Sequence, residues 1–168
     1  MAGWYSSKRS SVPPVKNHFE LEVFQNGYCI STDKSRIDIP QVHDYLSNQS
    51  YWSAGIPLET VTRSIEHSLC FGIYKNERQV GFARVITDQA TYAYLADVFV
   101  IDSERGKGLS KWLMTTILAY PGLQGLRRFV LATKDAHGLY EQFGFTVYKD
   151  PERLMSRHDP DVYKKTGK

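Results

Sequence analysis

The sequence predicts one α/β domain, a central mixed β-sheet flanked by helices, and three observations carry that prediction. From Leu69 to Ile101 the chain is almost continuous strand material broken by two polar turns, which reads as an antiparallel meander. The last of those strands runs through Gly106 and Gly108 directly into an apolar helical period at Leu109, Leu113, Ile117 and Tyr120. A short apolar strand, Phe129 to Thr133, follows that helix, so strand, helix and strand form a crossover unit with parallel strands. At 168 residues and 42% hydrophobic content the chain suits a single core.

Taken in order, residues 1–19 are rich in Ser, Lys, Arg and Pro and carry no periodicity, so they read as a flexible tail. Trp4 and Tyr5 offer the alternative of an anchor to the body or to a partner. Phe19 to Phe24 and Tyr28 to Thr32 alternate about Asn26-Gly27, a hairpin signal or a strand interrupted by a turn, with the second segment taken as the first strand of the sheet. Asp38 before Ile39-Pro40 caps a helix with apolar residues at Ile39, Val42, Tyr45 and Leu46. Pro57 opens a second, with Leu58, Val61, Thr62, Ile65 and Leu69 on one face. The meander then runs through Leu69–Tyr74, Val80–Thr87 and Thr91–Ile101, and Pro121-Gly122 ends the helix that follows it. A brief helix around Ala136 to Gln142 and a last strand from Phe145 to Tyr148 complete the domain, taken as residues 20–150, and residues 151–168 form a polar extension.

Composition narrows the function. A net charge of +3 with scattered basic residues makes nucleic acid a poor partner. No apolar run reaches the length of a membrane span and the N-terminus has no hydrophobic leader core, so a cytoplasmic protein without membrane contact is expected. Cys29 and Cys70 lack metal or redox spacing and read as buried thiols, with no metal site expected.

The chemistry gathers at Arg105-Gly106-Lys107-Gly108-Leu109-Ser110-Lys111. Two glycines allow a tight turn and close approach of the backbone to a ligand. The helix behind them presents unpaired N–H groups and the positive end of its dipole, and Arg105, Lys107 and Lys111 add charge, so the stretch suits a phosphate or pyrophosphate. It lacks the spacing of a Walker loop and the third glycine of a dinucleotide fingerprint. An ordinary charged strand-to-helix turn is the plainer alternative.

The Arg-x-x-Gly-x-small pattern of Arg105 to Ser110 resembles the acetyl-coenzyme A pyrophosphate loop of the GNAT superfamily of N-acetyltransferases, and the element order over roughly residues 25–150 is similar to the GNAT fold. Ala136-His137-Gly138-Leu139-Tyr140-Glu141-Gln142-Phe143-Gly144-Phe145 is similar to a second family segment, Ala-x-x-Leu-Tyr-x-x-x-Gly-Phe, whose helix lies along the cofactor. Thr133 departs from the asparagine the family often carries there. The resemblance implies acetyl-CoA as cosubstrate, bound by the loop with Phe99 and Val100 along its pantetheine arm. His137 precedes the cofactor helix, where it could contact phosphate or relay a proton; a capping or surface residue is the alternative. The resemblance also implies a backbone N–H near Val100 polarising the thioester and Tyr140 as general acid toward the sulfur, with a core tyrosine on the buried helical face as the alternative for Tyr140.

For the base, Asp97 interrupts the apolar run Leu95 to Phe99, where desolvation is expected to raise a carboxylate's pKa. The alternative is a structural aspartate satisfied by Arg84. Glu59 and Glu66 stand within reach of Arg63 on one helix and read as solvated pairs. Tyr51 and Trp52 lie on the loop between the first two helices, either as a ligand wall or as gap fillers. Together with Arg84, Tyr92 and Tyr94 they are candidates for the acceptor pocket, which tilts the expected acceptor toward a small primary amine. A protein or peptide acceptor, an acyl-CoA-binding module without turnover, and a homodimer are the alternatives.

Overall fold

The computed structural model describes residues 20–164. Six strands form one sheet in sequence order: β1 (Glu22–Gln25), β2 (Tyr28–Ser31), β3 (Leu69–Lys75), β4 (Arg78–Thr87), β5 (Tyr92–Val100) and β6 (Arg128–Leu131). All neighbours are antiparallel except β5 and β6. The β1–β2 turn places Asn26 at φ 50° and Gly27 at φ 78°, the left-handed pair that a two-residue hairpin requires. The hairpin therefore belongs to the sheet, and its first strand, not its second, is the sheet's edge.

Helices cover both faces. On one, α3 (Leu109–Ala119) buries Leu109, Leu113, Met114 and Ile117 against Ile30, Phe71, Ile73, Val85 and Leu95. On the other, α1 (Ile39–Asp44) and α2 (Leu58–Glu66) bury Val42, Val61 and Ile65 with Leu46 against Cys70, Phe82 and Phe99. The alternation of β3 explains the division, because Phe71 and Ile73 face α3 while Cys70 faces α1 and α2. Asp38 caps α1 as its sequence signals, its carboxylate accepting from the Gln41 N–H at 3.0 Å. Both cysteines are buried free thiols.

One expected element is missing. Residues 145–148 are not a strand. Phe145 packs edge-on against Phe129 and Tyr140, and Tyr148 lies under the Arg128 guanidinium, while Val147 is exposed. The segment is held to the body by its aromatic rings, without a backbone ladder to β6. In the extension, residues 151–164 form two short turns on the surface, and the tail of residues 1–19 and residues 165–168 lie outside the described residues.

Two features of β5 set up the site. Its pairing with β6 runs only from Tyr92 opposite Arg128 to Leu95 opposite Leu131, so from Ala96 onward its outer edge lies beyond the β6 ladder. Its pairing with β4 also slips: Arg84 lies opposite Ala96 but Phe82 lies opposite Phe99, so Asp97 and Val98 together face Ala83. This is a β-bulge, and Asp97 takes φ 55° within it. Aspartate tolerates the left-handed region better than the β-branched residues common in strands.

Candidate active site

Beyond Val100 the chain makes a tight turn, closed by the Glu104 N–H on the Ile101 carbonyl and the Arg105 N–H on the Asp102 carbonyl. Gly106 and Gly108 follow at φ 77° and 78°, and among the described residues a Cβ at either would meet nothing within 4 Å beyond its neighbours along the chain. The turn faces open space. Gly108 then stands at the head of α3, its carbonyl receiving the Trp112 N–H at 3.0 Å. The first N–H groups of α3 have no partner within the helix, so turn and helix end together present a set of donors beside the part of β5 that lies beyond the β6 ladder, a set that suits an anionic group such as a pyrophosphate.

The side chains around the turn are arranged less simply than the sequence suggests. Arg105 folds back: its Nε donates to the Val100 carbonyl at 3.1 Å and one terminal nitrogen donates to the Tyr45 hydroxyl at 3.0 Å, with Asp102 paired at 2.9 Å. Lys107 is bound to Glu104. Glu104 also accepts from the Tyr28 hydroxyl and from Lys75, so one carboxylate pins the loop to β2 and β3. Lys111 and His137 are exposed at the starts of α3 and α4 (His137–Tyr140), and Ser110 is half-buried on the first turn of α3.

The Lys107 hydrogen bond, helped by Tyr28, holds the Glu104 carboxyl down from its ordinary 4.5 to about 2. A depressed carboxylate stabilises the fold above its unfolded pKa, and that contribution disappears as pH falls through the folded value. The melting temperatures of the wild type and Glu104→Gln are therefore expected to differ at pH 6 and to converge as pH is lowered from about 4.5 to about 2. Thermal unfolding across that range checks it.

On the α1–α2 side, the bulge turns Asp97 toward Arg84 and Trp52. Arg84 Nε donates to one carboxylate oxygen at 2.7 Å and Trp52 Nε1 donates to the other at 3.2 Å. Arg84 is itself held by the Ser68 hydroxyl at 3.1 Å. Both members of the ion pair are largely buried, with 15% and 7% of their side chains exposed. Arg84→Met would strand the carboxylate, and we expect a loss of about 3–5 kcal/mol in unfolding free energy, read by urea denaturation.

Tyr51 stands edge-on to Trp52 at 5.1 Å and ties its loop to the segment after β6, accepting from the Lys134 N–H at 3.0 Å and donating to Asp135 at 3.3 Å. Tyr140 is buried below on α4, and burial, reinforced by Tyr51 and Asp135, pushes its phenol up to about 12. Thr133 accepts the Ala136 N–H at 3.0 Å, so the residue that departs from the family's asparagine holds the entry into α4. Tyr94 is half-buried, and burial followed by the Asp97 charge raises its phenol. Tyr92 lies further off, lining a separate cavity of about 410 Å³ with Gly125, Arg127 and Arg128.

The acetyltransferase (GNAT) family model matches residues 39–145, which takes in the bulged strand, the glycine turn and the α4 segment. The chain belongs to the GNAT family. This GNAT acetyltransferase is 54% identical to a solved GNAT-family protein of Xanthomonas campestris pv. campestris, with a TM-score of 0.80 over 81% of this chain and 96% of that one. It is 28% identical over 144 residues to a Gibberella zeae protein named as an acetyltransferase (FG08082), covering 73% of this chain and 81% of the relative. A GNAT acetyltransferase of Elizabethkingia anophelis, solved with acetyl-CoA bound, shares the fold at 13% identity and a TM-score of 0.57, over 74% of this chain and 80% of that one. The mixed sheet and the enzyme class expected from the sequence are thus both found.

Tyr45, Ser68, Glu104 and Asp135 contact the candidate site residues, and no local pattern in the sequence marks them. Tyr45 reads as one apolar position of a helix and Glu104 as one more charge in a polar turn; only their long-range partners reveal them.

Proposed function

We propose that this acetyltransferase moves the acetyl group of acetyl-CoA onto the primary amine of a small molecule by direct attack in a ternary complex. The observation that carries the reading is the glycine turn opening into α3 beside the unladdered edge of β5. The acetyl-CoA bound in the Elizabethkingia relative supports the same cosubstrate here.

The roles follow from position. Backbone donors of Gly106 to Lys111 hold the pyrophosphate, with Lys111 nearby and Lys107 available on leaving Glu104. A backbone N–H near Val100 polarises the thioester carbonyl as negative charge develops on it. The new N–C bond forms as the C–S bond breaks, and the Tyr140 phenol, protonated at neutral pH, donates toward the departing sulfur. Asp97 is the candidate to receive the proton the amine must shed, directly or by water; Arg84 and Trp52 fix its carboxylate, which is also the geometry of the structural alternative. Tyr51, Trp52 and Tyr94 wall the acceptor side, and their aromatic surface supports a compact amine over an extended chain.

The test is acetyl-CoA-dependent thiol release with polyamines, aminoglycosides, amino acids, arylamines and lysine peptides in parallel. Saturable release with one small-amine class supports the reading. Release with lysine peptides alone would replace it with protein acetylation.

A further inference from the structure

The helix that begins at Ile39 does not end as a regular helix. Past Asp44 it widens into a π-helical turn, Tyr45–Gln49, in which the Ser50 N–H reaches the Tyr45 carbonyl five residues back at 2.9 Å. This turn carries Tyr45, 8% exposed, into the space between two parts of the site. Its ring stacks on Phe99 of β5 at 3.9 Å and 8°, and meets Trp52 at 6.5 Å and 45°. Its hydroxyl accepts from Arg105, the residue that opens the glycine turn, and Arg105 also grips the Val100 carbonyl at the end of β5. Trp52 in turn donates to Asp97. A continuous series of contacts therefore runs from the glycine turn through Arg105, Tyr45 and Trp52 to the Asp97–Arg84 pair.

We propose that Tyr45 is a positioning residue that couples the cofactor turn to the acceptor wall, so that acetyl-CoA binding is registered at Trp52. This rests on the reading of the glycine turn as the acetyl-CoA site. The physical element is Arg105. In the structure described its guanidinium is committed to the Tyr45 hydroxyl, the Val100 carbonyl and Asp102, and a phosphate at the turn competes for the same donors. Any shift of Arg105 changes the restraint on a hydroxyl whose ring is clamped between Phe99 and Trp52. By linkage, whatever cofactor binding does to the acceptor side, acceptor binding does to cofactor affinity.

The experiment is a titration with acetyl-CoA read two ways, by calorimetric heat and by tryptophan emission excited at the red edge of the indole band. It uses the wild type, Trp52→Phe and Tyr45→Phe. The chain has three tryptophans, one of them, Trp112, on the first turn of α3, so the emission change assigned to Trp52 is the part that Trp52→Phe removes. Tyr45→Phe keeps the stacked ring and removes only the hydroxyl, which protects the fold. The expected result is heat and an emission change in the wild type, loss of that change in Trp52→Phe, and in Tyr45→Phe retained binding, weakened by at most about tenfold, with the emission change largely gone. Heat with no emission change in the wild type, or a full change in Tyr45→Phe or Trp52→Phe, overturns the coupling and leaves the cofactor site standing. No heat in the wild type overturns the cofactor site and the coupling with it.

Discussion

Gly108→Val is expected to raise the dissociation constant for acetyl-CoA by about 100-fold while leaving the protein folded. Gly108 sits at φ 78°, where a β-branched residue is strained by about 1–3 kcal/mol. Among the described residues, nothing but its neighbours along the chain lies within 4 Å of the Cβ position, so the added side chain would stand in the space the turn presents to a ligand. Relaxing the strain would also re-aim the first N–H groups of α3. Losing one or two charge-assisted hydrogen bonds, each about 1.5–3 kcal/mol, accounts for an effect of this size. Calorimetric titration measures it, with thermal unfolding as the control for the fold. Unchanged affinity in a folded variant would show that the turn is not a backbone cradle.

The second large effect is expected at Tyr140. Tyr140→Phe should lower kcat by about 100-fold or more, the usual contribution of a positioned acid, with little change in acetyl-CoA affinity. Burial raises the phenol to about 12, so it carries its proton through the neutral range and the loss should not depend on pH between about 6 and 9. The buried ring persists in the variant, so its contact with Phe145 at 6.1 Å is kept. Single-turnover kinetics beside a binding titration separate the two quantities. Equal rates would return Tyr140 to a packing role.

The parts of this molecule that were legible in the sequence are those fixed by local chemistry. Asn26-Gly27, Asp38 before a proline, and paired glycines after an apolar strand each state a backbone conformation within a few residues, and each is found. What escaped depends on partners far away in the chain. Phe145 to Tyr148 has the composition of a strand, yet its rings reach Phe129, Tyr140 and Arg128 without a ladder. The left-handed Asp97 is invisible in an apolar run, although a charge there marks the bulge indirectly.

The cations at the turn teach the same lesson. Arg105 and Lys107 look like free phosphate ligands in the sequence, whereas the fold commits one to Tyr45 and the Val100 carbonyl and the other to Glu104. The protein thereby keeps positive charge beside the turn without leaving it uncompensated. In the proposed reading, backbone donors carry the constant share of anion recognition and the side chains adjust when a ligand arrives.

The most direct measurement mixes the enzyme with acetyl-CoA carrying a labelled acetyl group, first alone and then with an accepted amine, and follows label and free thiol together. No label is expected on the protein before the amine is added, and acetylated amine and coenzyme A thiol should then appear in equal amounts. Label trapped on the protein, or thiol released without acetylated amine, would contradict direct transfer within a ternary complex.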